Sequence, residues 1–172
     1  MKLKSLGLAV LLTAFAGSAL AQTQVSGTRK CGKPDASQSI EVGDHPGHML
    51  IIEKGSCTWS VPFEMAGLKS TTDTGADAVD VTGAKFQIHG YGVITMDNGD
   101  KAYVRFQGSG TMKGGAPDTG EGTWSYAGGT GKLKGLKGKG TWKNSTAPGS
   151  EDETQVQGEY SLPEPGAAAK KK

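Results

Sequence analysis

Between residues 85 and 162, glycines and large aromatic residues alternate with polar residues at strict period two. Phe86, Ile88, Gly90, Gly92, Ile94 and Met96 share one parity, while Lys85, Gln87, His89, Tyr91, Val93 and Thr95 share the other. Side chains of a β-strand point alternately to its two faces, so this segment reads as a half-buried strand. The pattern returns at Ala102, Val104, Phe106, Gly108, Gly110 and Met112. It recurs at Gly120, Gly122, Trp124 and Tyr126, at Gly138, Gly140 and Trp142, and at Val156, Gly158, Tyr160 and Leu162. Asp97-Asn98-Gly99-Asp100 separates the first two strands and predicts a tight hairpin with a type I′ turn, because Asn-Gly accepts positive φ.

Shorter strands are expected within 38–43, 47–54, 57–66 and 77–82, and no window has a helical period. About eight or nine strands with one apolar face each must bury that face. The expected fold is all-β, a closed antiparallel β-barrel of about eight strands with no substantial helix. Glycine lets strands coil at barrel corners and leaves room for a Trp reaching across the interior.

The 28 glycines of the 172 residues are too regularly placed for a flexible linker. The chain opens with Lys2 and Lys4, an apolar run from Leu6 to Phe15, and the small-residue site Ala19-Leu20-Ala21. That is the pattern of a secretory signal peptide over 1–21, with a run too short to span a bilayer. A single domain over 22–162 follows, then a Pro/Ala/Lys tail over 163–172 expected to be disordered. The expected location is periplasmic or secreted, with no transmembrane segment after cleavage.

The formal charge of +2 belongs to the chain's ends. Without Lys2, Lys4 and the three terminal lysines the domain is slightly acidic, which gives no ground for a nucleic-acid partner. Lys132, Lys134, Lys137, Lys139 and Lys143 read as a solvated exterior. Cys31 and Cys57 are the only cysteines. In an oxidising compartment they are expected to form one disulfide, tying an irregular N-terminal segment to a strand.

The segment from Gly128 to Trp142, with Gly128-Gly129-Thr130-Gly131-Lys132-Leu133 at its head, resembles a motif of the allene oxide cyclase and dirigent-like β-barrels, and its character is similar to their exported bacterial members of unassigned activity. The resemblance covers roughly 84–162. It implies a calycin-type barrel in which a single helical turn caps one end between two strands. No catalytic residue of the cyclases maps onto this chain.

The candidate ligand-lining set is the inward parity: Phe86, Ile88, Ile94, Met96, Val104, Phe106, Met112, Trp124, Tyr126, Trp142 and Tyr160. An eight-stranded barrel either fills itself or holds one small ligand. Glu41 and Glu64 are the carboxylates weighed for the lumen, with exterior positions expected for both. His45-Pro46-Gly47-His48 places two imidazoles close together, and with Asp44, Glu53 or a free Cys57 they offer a transition-metal set. Four ligands at recognisable spacing are not present, so no metal and no cofactor are expected.

No nucleophile elbow or phosphate loop is present. The expectation is a non-enzymatic exported barrel binding a small apolar ligand. The alternatives are a cyclase or isomerase acting on a fatty-acid-derived substrate, and an envelope interaction module, with oligomers possible.

Overall fold

The computed structural model describes residues 22–145 and 152–163. The signal-peptide reading of 1–21 and most of the predicted tail lie outside them. Ten strands form in the order β1 (Thr23–Cys31), β2 (Ala36–Glu41), β3 (His48–Trp59), β4 (Glu64–Met65), β5 (Leu68–Thr82), β6 (Lys85–Met96), β7 (Lys101–Lys113), β8 (Ala116–Gly129), β9 (Lys137–Ser145) and β10 (Asp152–Ser161). The only helical element among the described residues is a 3-10 turn, Gly131–Leu133. The fold is all-β.

Eight strands close a ring in the order β1-β10-β9-β8-β7-β6-β5-β3, and β3 returns to β1. All pairings are antiparallel. From Arg29 the register passes through Thr154, Asn144, Gly120, Gly110, Phe86 and Val81 to Met49. Arg29 also pairs directly with Trp59, ten residues further along β3. The ring therefore closes with a stagger of ten residues, as strands tilted to the axis require.

The closing seam is short. β1 and β3 share only the pairs Arg29↔Trp59, Lys30↔Thr58 and Cys31↔Cys57. The last of these is a disulfide with its Cα atoms 4.2 Å apart. The N-terminal segment is thus a nine-residue strand rather than the irregular stretch expected. Beyond Cys31 the chain turns and continues as β2 along the same edge of β3.

The predicted strands over 47–54 and 57–66 are largely one strand, β3, and the predicted 77–82 is the end of a fifteen-residue strand, β5. The β6–β7 turn also differs from expectation. Gly99 has φ +85° but Asn98 is not in the left-handed region, so the turn is not type I′. The Gly99 N–H donates to the Met96 carbonyl and the Met96 N–H to the Asp100 carbonyl. That is a three-residue loop closed by a left-handed glycine.

Aromatic rings of the interior lie flat on the glycines of neighbouring strands. Trp124 covers Gly140 and Gly158, Trp142 covers Gly108 and Gly122, and Phe86 covers Gly110 and Gly120. Each ring reaches sideways along its own wall, not across the interior as expected. A Cβ on Gly140 would run into the Gln157 carbonyl and the Trp124 ring. One end of the ring is plugged. Leu133, which ends the 3-10 turn, and Leu136 just after it are buried with Met65, Leu68, Met96 and Ala102. Asp100 ties this cap to the β6–β7 loop, since its carboxylate accepts from the Lys132 N–H at 2.9 Å and from Asn98 at 2.8 Å.

Candidate functional site

The eleven candidate lining residues all share the inward parity, but they divide by depth. Ile94, Met96, Trp124 and Tyr160 are buried in the cluster that plugs one end, and Val104, Phe106, Tyr126 and Trp142 pack against it. Phe86 is buried outside that cluster. Ile88, Phe106, Met112 and Trp142 face inward yet are only half-buried. Toward the unplugged end, solvent therefore reaches an apolar interior surface.

The opposite wall carries what the sequence reading missed. Register with β6 places Asp73 and Asp77 of β5 on the inward face, opposite Ile94 and Gly90. Glu53 of β3 stands opposite Asp77, and Arg29 of β1 shares the same parity. The Arg29 guanidinium donates to the Asp73 carboxylate at 3.4 Å, with the Asp73 side chain 2% exposed. Burial raises the pKa of Asp73, while Arg29 works against the shift. The Trp59 indole N–H also lowers it, though without completing a hydrogen bond of good geometry.

Asp77 has no such partner. Its Oδ1 is buried with no hydrogen-bond donor. Its Cβ and the tip of the Phe106 ring each come within 2.6 Å of where a Cβ on Gly90 would sit. A carboxylate and an aromatic ring thus approach each other over the glycine between them. Burial, and then the neighbouring Glu53 charge, push its pKa to about 6, against weaker opposing pulls from Arg29 and His89. Titration near neutral pH suits a group that accepts or supplies a proton.

The carboxylates weighed from sequence lie elsewhere. Glu41 is exposed on β2, and Glu64 is exposed beside Lys69 at 3.5 Å. His45 sits with Asp44 in the β2–β3 turn, and His48 opens β3 beside them. Cys57 is in the disulfide, which removes it as a ligand. Lys132, Lys134, Lys137, Lys139 and Lys143 are all exposed. A broad open groove crosses the sheet, lined by residues that include Leu50, Tyr91, Arg105, Gln107 and Trp142. Within it Arg105 stacks on Tyr91 at 5.8 Å. No helix among the described residues is long and apolar enough to cross a membrane.

No family model and no curated protein matches the chain. It is similar to the solved structure of a pyocyanin demethylase, at 18% identity and a TM-score of 0.43, over 78% of this chain and 99% of that one. Two pterocarpan synthase dirigent proteins are also similar, both at a TM-score of 0.48. One is 9% identical over 84% of this chain and 97% of its own, the other 10% identical over 91% and 98%. Dirigent proteins are among the chains it is similar to, as the 128–142 motif leads one to expect. At these identities and scores the likeness carries no argument about the fold or the activity of this chain.

Proposed function

We propose that this protein is an exported, non-enzymatic binder of a small, flat, mainly apolar molecule. The domain would be residues 22–162, released by cleavage after Ala21 into the periplasm or beyond, with 163–172 as a tail. The molecule would lie against Phe106 and Trp142 and give a hydrogen bond or a positive charge to Asp77. The observation that carries this reading is the buried, unpartnered Asp77 oxygen beside a half-exposed aromatic surface. A buried acceptor without a donor costs about 1–3 kcal/mol, which a ligand's donor recovers.

N-phenyl-1-naphthylamine is a suitable probe, being flat, apolar and equipped with one N–H. The expected result is saturable one-to-one binding with blue-shifted emission, weakened about tenfold or more in Asp77→Leu and in Phe106→Ala. The exterior pair Ile40→Ser/Ile52→Ser, at residues 62% and 59% exposed, should bind as the parent does. Non-saturable binding, or loss only in the exterior variant, would sink the proposal. The export reading is checked by the N-terminal sequence of protein recovered from a periplasmic extract, expected to begin at Gln22.

A second reading is an enzyme of the cyclase or isomerase type. The pKa of about 6 at Asp77 supports it, because such a carboxyl can exchange a proton with a bound substrate near neutral pH. Recovery of a bound small molecule unchanged after prolonged incubation with the protein favours the binder. Its conversion, lost in Asp77→Asn, favours the enzyme.

A further inference from the structure

The geometry points to a divalent transition-metal site in the β2–β3 turn, with Asp44, His45 and His48 as ligands and Asp80 of β5 orienting His48. Asp44 Oδ1 lies 3.0 Å from His45 Nδ1 and 2.7 Å from His48 Nδ1. The ligand atoms of all three residues fall within 4.8 Å of one another. Donor atoms that share one ion at about 2 Å stand roughly 3 Å from each other, so the two Asp44–imidazole separations suit a common centre, and the two imidazole nitrogens would close on the ion to complete it. An ion would sit where the Asp44 carboxylate oxygen now contacts both imidazole Nδ1 atoms.

The far side of His48 supports the same assignment. Its Nε2 is 3.2 Å from Asp80 Oδ1. A metal-bound imidazole commonly gives its second N–H to a carboxylate, which fixes the ring and raises its basicity as a ligand. Metal on Nδ1 leaves the proton on Nε2, where Asp80 accepts it. His48 thus has a ligand neighbour on one nitrogen and an orienting carboxylate on the other. Asp80 is contributed from another strand, so the arrangement is not a product of the turn alone.

The turn is also stiff. Pro46 fixes its own φ, and Gly47 reverses the chain at φ +77°. The His48 N–H donates to the His45 carbonyl at 3.3 Å, and the Val42 N–H donates to the His48 carbonyl at 2.9 Å. The two rings stack with centroids 4.8 Å apart. Two imidazoles and one carboxylate select ions such as Cu²⁺ and Zn²⁺ over Mg²⁺ and Ca²⁺, which prefer all-oxygen sets. Three protein ligands at an exposed turn leave a position open for water or another donor.

The test uses untagged mature protein, stripped with a chelator and titrated with Zn²⁺ and separately with Cu²⁺ by calorimetry and native mass spectrometry. One ion per chain is expected for each metal, and none for Mg²⁺. His48→Ala and His45→Ala should each weaken binding at least tenfold, Asp80→Asn about tenfold through the loss of orientation, and His89→Ala not at all. Circular dichroism establishes that the surface variants keep the fold. Failure to bind at tens of micromolar, or undiminished binding in the His45→Ala/His48→Ala double variant, would overturn the site.

Discussion

Two walls enclose the interior of this ring and are built on opposite rules. Across β6 to β10, Phe86, Trp124 and Trp142 lie on glycines of adjacent strands, and the wall is closely packed. Across β1, β3 and β5, inward positions hold Arg29, Glu53, Asp73 and Asp77. The first wall is held by contact between faces that fit only each other. The second is held by a three-pair seam, one disulfide and an ion pair. A wall with spare polar capacity is where a ligand finds something to bond. A wall with none can only provide surface.

The seam should be the more fragile of the two, and the disulfide is its principal tie. Cys31 and Cys57 are 26 residues apart in sequence. Closing a loop of that length restricts the unfolded chain by about 3.5 kcal/mol in the entropy model. Cys31→Ala/Cys57→Ala is expected to lose stability on that order in urea unfolding, with hydrogen exchange rising first along β1 and β3. An exchange increase confined to β6–β10 would contradict the division into a tied wall and a packed one.

The packed wall is probed by a single methyl group. Gly140→Ala drives a Cβ against the Gln157 carbonyl and the Trp124 ring. Overpacking of this kind costs about 1–3 kcal/mol, and backbone on one side leaves little room to yield, so a value near the upper end is expected. Loss of near-ultraviolet circular dichroism should accompany it as Trp124 leaves its seat. A variant of unchanged stability would show that the glycines serve strand coiling rather than the fit of the rings.

The packed wall was also the legible one. Its glycines and aromatics keep period two over five strands, so both faces can be read from the chain itself. β5 cannot be read that way. One of its parities holds Asp73, Gly75, Asp77, Val79 and Val81, and the other Thr74, Ala76, Ala78, Asp80 and Thr82. Neither is distinctly apolar, and pairing with β6 alone decides that Asp77 points inward. In β1 an inward Arg29 interrupts an alternation that Val25, Gly27 and Cys31 would otherwise reveal. The polar residues that hide these strands from a hydrophobic pattern are the ones that give the interior its chemistry. The His45/His48 pair was visible as a motif, but Asp80 joins it only through the β3–β5 pairing.

The charged wall has its own pH signature. Asp77 has a folded pKa near 6 against an ordinary 3.8. The folded protein takes up this proton before the unfolded chain does, so stability rises as pH falls from about 7 to about 4 and levels off below that. Glu53, Arg29 and His89 set the charge around it, with Glu53 adding to the effect of burial. Asp77→Asn should remove that slope and stabilise the protein above pH 6. Because the group is partly open to water, the gain is expected at about 1–2 kcal/mol rather than the full value of the shift. Equal slopes for parent and variant between pH 7 and 4 would mean that the carboxylate is solvated, and would remove the ground for placing a ligand on it.

The smallest expected effect separates the walls most cleanly, because it repeats the Gly140 substitution where the second rule applies. Gly55 of β3 is inward-facing, has no positive φ, and would place a Cβ only 3.7 Å from the Pro34 Cα. That is an ordinary contact with nothing to displace. Replacing such a glycine in a strand restricts the unfolded chain and is worth about 0.4–1 kcal/mol in favour of the fold. Gly55→Ala is therefore expected to raise the urea midpoint slightly, where Gly140→Ala lowers it strongly. The two variants share chemistry, strand context and inward orientation, and differ in whether an aromatic ring already occupies the space. Opposite signs would locate the tight fit in β6–β10 alone. Equal destabilisation would mean that the β3 side of the interior is as closely packed as the other, leaving no room beside Asp77 for a guest.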